Sequence, residues 1–432
     1  MRTSHVVGTC LMVLSLACMP GPGLATDQDL YGPLKRFSKV LDLVEENYVH
    51  PVDREEAMNG AIKGMLQKLD PHSTFIEAKE FVMMQEEFAG EFGGIGVQIG
   101  IKDRRLTVIA PIEDTPADKA GLLAGDIILE INGEPTQDFS LTEAVNRIRG
   151  PKGEAVTLTI MHKDSRRPER VTIVRGAIPI YSVKSMPLEP GYMYLQLTDF
   201  KATTLDEMRK AVTEFAKSTP LKGLVLDLRN NPGGLLDQAV SVSDAFLEGG
   251  LIVYTQGREE NSRREYKAKK QDDDILCPMV ILINSGSASA SEIVAGALQD
   301  QNRAVLIGEK TFGKGSVQTM IPLDDGSAVK LTIALYYTPN GRSIQAQGIA
   351  PDLEVPLIVG ATRGGDDQLF TLREENLSEH LDNPDQPDSE DDADEVDLDA
   401  AERLERDNQL RLALQIVKSL PRLGAVSAGS AK

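Results

Sequence analysis

Histidine is scarce in this chain, with 5 in 432 residues. His5 lies in the leading apolar segment, and His50, His72, His162 and His380 are scattered along the rest. None falls in residues 177–358, the part that reads as an α/β core. A Ser-His-Asp triad needs a histidine beside its nucleophile, so that mechanism is disfavoured. Cysteine is sparse too. Of 3 cysteines, Cys10 and Cys18 lie among the first 25 residues, which leaves Cys277. A single cysteine makes no intramolecular disulfide. Cys277 precedes Pro278 and the strand-like run MVILIN, and reads as small apolar core filler. There are no paired cysteines and no H-E-x-x-H, so neither a metal nor another cofactor is called for. Positive charge is outweighed, with 46 Lys and Arg against 66 Asp and Glu and a net charge of −20. Such a chain repels phosphate backbones, which argues against nucleic acid as a partner. Beyond the leading segment no apolar run is long enough to cross a bilayer.

The leading segment has three parts. Arg2 supplies positive charge, Val6 to Met19 form a short apolar core, and Gly23-Leu24-Ala25 places small residues at a cleavage position. Residues 1–25 therefore read as a secretory signal, which predicts an exported, periplasmic protein. A lipoprotein signal ending at Cys18 ranks second, because Ser15-Leu16-Ala17 fits that pattern poorly. An uncleaved signal anchored at the inner membrane is the third reading.

Residues 26–88 predict a helical region packed on something larger. Val40, Leu43 and Val44 recur at helical spacing, as do Ala61, Met65, Leu66 and Leu69. The turn Asp70-Pro71-His72-Ser73 separates these from a further helical stretch, Glu77 to Phe88. Residues 89–176 are glycine-rich and strand-like. Leu106, Val108 and Ile109 begin one strand; Ile127 to Ile131 form another, closed by the hairpin turn Asn132-Gly133. Ala144 to Ile148 suggest a helix, and VTLTIM and RVTIVR two more strands. In residues 177–360, the apolar runs MYLQLTDF, GLVLDLRN, MVILIN and AVLIGE alternate with helices at Thr204 to Ala216, Leu236 to Phe246 and Ser291 to Gln299. Fully apolar strands alternating with helices predict an α/β layer with a buried sheet. Residues 361–399 read as an acidic linker, disordered over 375–399, where almost nothing apolar offsets chain entropy. In residues 400–432, Leu410, Ala413, Leu414 and Val417 form an apolar stripe on a helix that needs a surface. That surface is expected on a partner or a second protomer, and the apolar stripes at both ends predict a homodimer.

Chemistry concentrates in NSGSASASEIVAGALQDQNRAVLIGEKTFGKGSVQ, residues 284–318. Ser285, Ser287, Ser289 and Ser291 precede a helix. Most serines in such a place are helix caps. A hydroxyl there also sits in a positive field that favours a developing alkoxide. Lys314 lies in Thr311-Phe312-Gly313-Lys314-Gly315. Surface exposure is the ordinary fate of lysine. A lysine acting as a base must fall from about 10.4 to roughly 7–8, a shift of about 4 kcal/mol that burial can supply. A second glycine loop, Leu226 to Gly234, fits neither phosphate-loop pattern. Its free N–H groups suit half of an oxyanion hole better. The residues alone do not choose among the four serines.

Three segments in chain order, D-L-R-N-N-P-G-G, G-S-A-S-A-S-E and T-F-G-K-G-x-V-Q, resemble the carboxyl-terminal processing peptidases, or tail-specific proteases. Leu69-Asp70-Pro71-His72-Ser73 matches that family's helical motif, and residues 89–176 resemble its PDZ domain. The resemblance covers roughly residues 30–355. It implies an α/β, mixed α+β chain: a crotonase/ClpP-like ββα protease core with an inserted PDZ domain and an N-terminal helical region. It implies Ser289 as nucleophile, Lys314 as general base and Gln318 as the residue that orients the lysine. Oxyanion donors would be the N–H of Ala290 and of Gly233 or Gly234. In the PDZ domain, Gly94, Ile95, Gly96 and Val97 would receive a peptide as an added strand and capture its carboxylate. The expected activity is cleavage of proteins with exposed C-terminal tails, with room for an adaptor or activator protein and for a gated site. Two alternatives stand beside it: a non-catalytic PDZ scaffold or carrier on a retired protease fold, as in the interphotoreceptor retinoid-binding proteins, and a PDZ-bearing trypsin-like protease. Intact motifs disfavour the first and scarce histidine the second.

Overall fold

The computed structural model describes residues 28–102, 104–163, 165, 167–358 and 400–429. The leading segment 1–25 and the acidic tract 375–399 lie outside the described residues. The chain divides into two units, residues 1–63 and residues 64–432. In the first, helix Gln28–Asn47 is followed by most of helix Arg54–Gln67. Arg54 joins them by two hydrogen bonds to the Glu45 carboxylate, each 2.5 Å. Val40, Leu43 and Val44 remain 53%, 45% and 39% exposed.

The second unit begins with a correction. Residues 74–76, expected within helix-rich sequence, form strand Thr74–Ile76. It pairs antiparallel with strand Ala328–Tyr337, Thr74 opposite Lys330 and Ile76 opposite Ala328. Three residues are too few to show an alternating pattern, so a distant partner decides their conformation. Helix Ala78–Ala89 follows and stops at Gly90 in the left-handed conformation, φ 79°.

The PDZ-like part is a sheet of strands Val97–Lys102, Arg105–Pro111, Ile127–Ile131, Ala155–Met161 and Glu169–Val174, in that spatial order, with Glu134–Pro135 beside the third. Helix Leu141–Ile148 is capped at its N-terminus by Ser140, whose Oγ accepts the Glu143 N–H. Ile95, Val108, Ile128, Ile131, Val156, Leu158 and Ile160 form its core, all at 1% exposure or less. The expected turn is present: Asn132 and Gly133 have φ 52° and 84°.

The larger part has two sheets. One runs Val183–Glu189, Tyr192–Leu197, Gly223–Asp227, Met279–Ile283, Val305–Gly308, Leu353–Glu354, parallel except for its first strand. Alternation sorts its residues by face. Leu224, Leu226, Ile281 and Ile283 join helices Thr204–Ser218, Leu236–Asp244 and Ala290–Asp300 in one core. Val225, Val280 and Leu282 point the other way. There they meet helix Asn408–Gly429, whose Leu410, Ala413, Leu414 and Val417 are 0%, 0%, 3% and 0% exposed. The C-terminal stripe therefore lies on the chain's own sheet, which corrects the expectation of a partner or second protomer at that face. The second sheet is antiparallel. It holds Thr74–Ile76, Ala328–Tyr337, Gly249–Gly257 and Arg264–Lys269, with Ser316–Pro322 paired to Ala328–Tyr337. Neither its strands nor their pairings carried a sequence expectation.

Candidate active site

Strand Met279–Ile283 ends at Asn284, and the chain turns sharply into helix Ala290–Asp300. Two hydroxyls of the serine turn are used by the scaffold. Ser287 Oγ donates to the Leu228 carbonyl at 2.7 Å and Ser291 Oγ to the Asn231 carbonyl at 2.9 Å. Ser289 differs. Its backbone has φ 53° and ψ −109°, a conformation that a residue with a Cβ adopts only when its surroundings impose it. It is 7% exposed, and its hydroxyl meets the phenol of Tyr336. Burial pushes that phenol far above its ordinary range.

Glu292 holds the strained turn, three residues on, at the spacing of a capping box. Its Oε2 accepts from the N–H of Ser289 at 2.8 Å and of Lys314 at 2.9 Å. Its Oε1 accepts from Thr311 Oγ1 at 2.5 Å and from the Gly313 N–H at 2.8 Å. One carboxyl thus joins the serine turn to the lysine loop. Burial pushes it up, to about 8, while its four donors pull the other way. Three of the four partners are backbone N–H groups that can only donate, which favours a carboxylate, and the Thr311 hydroxyl is the one partner able to accept an acid proton.

The lysine loop is shaped by glycine. Gly313 has φ 102°, and a Cβ on Gly315 would lie 2.2 Å from the Gln345 nitrogen. Lys314 is half-buried. Strand Ser316–Pro322 then carries Gln318, whose Nε2 donates to Ser316 Oγ at 2.7 Å and Thr332 Oγ1 at 3.4 Å. The neighbouring strand also brings Tyr336, whose N–H donates to the Gly315 carbonyl at 2.7 Å.

The glycine loop after strand Gly223–Asp227 approaches from the other side. Gly233 has φ 111°, and a Cβ there would fall 2.8 Å from Ser289 Cβ and 3.0 Å from the Ala290 nitrogen. Only glycine lets this backbone reach the serine. Asn231 ties the loops together, its carbonyl accepting the Ala288 N–H at 3.0 Å. Asn231 Oδ1 also takes the Gly233 N–H at 2.9 Å. Among the described residues no acceptor is hydrogen-bonded to the N–H of Gly234 or of Ala290.

In the PDZ-like part, Gly94, Ile95, Gly96 and Val97 line a cavity of about 140 Å³ with Phe92, Ile99, Val145, Ile148 and Arg149. The cavity lies between helix Leu141–Ile148 and strand Val97–Lys102, an edge strand of its sheet. Gly96 has φ 75°, and a Cβ there would strike Thr115 Cβ at 2.3 Å. Ile95 is 1% exposed and belongs to the core, so it chiefly anchors the loop. Among the described residues no group of His, Cys, Asp or Glu is placed to hold a metal.

Comparison with known proteins fits this arrangement. Residues 191–355 match the model of peptidase family S41, residues 107–161 a PDZ domain, and residues 23–80 the activating protease CtpB N-terminal domain. The carboxy-terminal-processing protease of Bartonella bacilliformis is 46% identical over 358 residues, covering 82% of this chain and 82% of that one. This chain belongs to the carboxy-terminal-processing proteases of family S41. Carboxy-terminal processing protease CtpA of Bacillus subtilis is 37% identical, over 74% of this chain and 69% of its own. Among solved structures, a photosystem II D1 C-terminal processing protease aligns at 30% identity and TM-score 0.44, over 77% of this chain and 94% of its own. As a carboxy-terminal-processing protease, the protein is a PDZ-containing serine peptidase rather than a non-catalytic carrier.

The family resemblance implies Ser289, Lys314 and Gln318 but assigns nothing to Glu292, Tyr336 or Thr332. Glu292 had a readable signal, the Ser-x-x-Glu spacing. Tyr336 and Thr332 had none, because strand pairing brings them from elsewhere in the chain.

Proposed function

We propose that Ser289 is the nucleophile, neutral Lys314 its general base, and Gln318 the residue that orients the lysine amine. Ser289 Oγ attacks the scissile carbonyl and passes its proton to Lys314 Nζ. The oxyanion that forms is received by backbone N–H groups of Ala290 and of the Gly233–Gly234 pair. With its own N–H taken by Asn231, Gly233 contributes close approach and Gly234 the donor. Lys314 then protonates the leaving amine as the C–N bond breaks. Water attacks the acyl-serine, gives a proton to Lys314, and releases the new C-terminus as the serine recovers its hydrogen. The observation that carries this reading is Glu292, whose Oε2 is hydrogen-bonded to the N–H of both Ser289 and Lys314.

The substrate enters tail first. An extended C-terminal peptide adds to strand Val97–Lys102, its carboxylate at the Gly94–Gly96 loop and an apolar end residue in the neighbouring cavity. Residues 26–88, 89–176 and 177–360 then serve as helical region, tail reader and peptidase, with 361–399 linking to the C-terminal helix. The chain is exported by residues 1–25; among the described residues no helix is long and apolar enough to cross a membrane. It forms a homodimer, supported by the exposed Tyr31, Leu34 and Phe37 of helix Gln28–Asn47. An activator at the N-terminal region is supported by the match of residues 23–80.

The test is cleavage of an unstructured protein with an apolar C-terminal tail. Ser289→Ala and Lys314→Ala are each expected to lose at least about 10³-fold in kcat while still binding the tail. Wild-type rates in either variant sink the dyad.

A further inference from the structure

Asp70 and Ser73, in the motif Leu69-Asp70-Pro71-His72-Ser73, are 4% and 1% exposed. Asp70 Oδ1 accepts from the N–H groups of His72 and Ser73, each at 2.8 Å, and from Thr332 Oγ1 at 3.2 Å. Its Oδ2 accepts from Ser73 Oγ at 2.7 Å. Ser73 Oγ in turn accepts the Thr332 N–H at 3.1 Å. Burial opposes charge on this carboxyl, but hydrogen bonds from Ser73, the two backbone groups and Thr332 outweigh it and hold Asp70 below the ordinary carboxylate range. An ionised carboxylate only accepts. The Thr332 hydroxyl must therefore give its hydrogen to Asp70, leaving lone pairs for its other neighbour. Ser73 Oγ lies 3.5 Å away with its hydrogen given to Asp70 at 2.7 Å, and the remaining donor is Gln318, directly across the strand pair, with Nε2 at 3.4 Å. Strand Thr74–Ile76 fixes the motif here by pairing with the strand that carries Thr332.

We propose that Asp70 is a positioning residue: acting through the Thr332 hydroxyl, it sets the orientation of the Gln318 amide, nitrogen toward Ser316 and Thr332 and oxygen toward Lys314. This rests on the role proposed above for Gln318. The amide's two ends are nearly the same size, so sterics alone do not choose between them. Ser316 can accept from the nitrogen or donate to the oxygen, and so it does not choose either. Asp70 breaks the tie, because it removes the one hydrogen that Thr332 could offer to the amide oxygen. The N-terminal motif thereby acts on the dyad without touching substrate.

The experiment is steady-state cleavage by the full chain carrying Thr332→Val, Thr332→Ser, Asp70→Asn or Gln318→Ala, and the Thr332→Val, Gln318→Ala double variant. Thr332→Val is nearly isosteric and keeps the relay testable if Asp70→Asn does not fold. It is expected to lower kcat about tenfold, the scale of one hydrogen bond, with KM within about twofold. Thr332→Ser is expected to restore most of the loss. Adding Thr332→Val to Gln318→Ala is expected to cost nothing more. Full kcat in Thr332→Val, or an equal loss from it with and without Gln318, overturns the relay alone. Wild-type kcat in Gln318→Ala overturns the role of Gln318 and the relay with it.

Discussion

Glu292 shows how one side chain shapes a site without entering the chemistry. A serine at φ 53° is strained, and the carboxyl that holds it also fixes the lysine loop through two backbone N–H groups and a threonine hydroxyl. Glu292→Gln puts two hydrogens where two of those donors already point. The expected result is a loss of roughly 2–4 kcal/mol in stability and at least about tenfold in kcat, read by urea unfolding and by turnover. A variant as stable and fast as wild type means the cage is not needed. Cys277 reads the same way in sequence and structure. Burial pushes its thiol up to about 11, so it stays protonated and is no nucleophile. The four serines did not. Their roles separate only when Ser287 and Ser291 are seen bonded to the carbonyls of Leu228 and Asn231, contacts made across the turn with a different loop.

The centre of the parallel sheet was legible because strands Gly223–Asp227 and Met279–Ile283 are buried on both faces, and their runs GLVL and MVILI are apolar throughout. The antiparallel sheet was not. Ser316–Pro322 and Ala328–Tyr337 have one half-exposed face and mixed patterns, and Thr74–Ile76 is too short to carry any. The C-terminal helix was legible as an amphipathic element, but not the surface it covers. Arg229 completes that docking, giving hydrogen bonds to Asp407 at 2.6 Å and to Gln409 at 2.8 Å while held by Asp227. Arg229 opens the loop that ends at Gly233 and Gly234, so the helix also braces that glycine loop. Leu414→Ala is expected to cost about 2–5 kcal/mol in urea unfolding, with the mass by light scattering unchanged. A change in mass with no loss of stability would instead make this face an interface between chains.

At the scale of the whole molecule, a smaller PDZ part accompanies a larger peptidase part. Net charge of −20 disfavours nucleic acid, and the PDZ-like part offers a peptide an open edge strand and a small apolar cavity. Both were readable in sequence as far as their glycines, because Gly96 and Gly233 sit where no Cβ fits. Val145 lines the cavity from a half-exposed helix position, so Val145→Glu changes the groove and spares the core. It is expected to raise KM about tenfold or more for a substrate with an apolar tail, and to leave kcat within about twofold. Equal KM values for wild type and variant would place tail recognition elsewhere.

The central claim is that Ser289 is activated by Lys314 with no histidine. Labelling with a serine-directed phosphonofluoridate, followed by peptide mass mapping, tests it most directly. The account predicts one adduct, on Ser289, formed in wild type and slowed at least about 10²-fold in Lys314→Ala. An adduct on Ser285, Ser287 or Ser291, or equal labelling with and without Lys314, contradicts it.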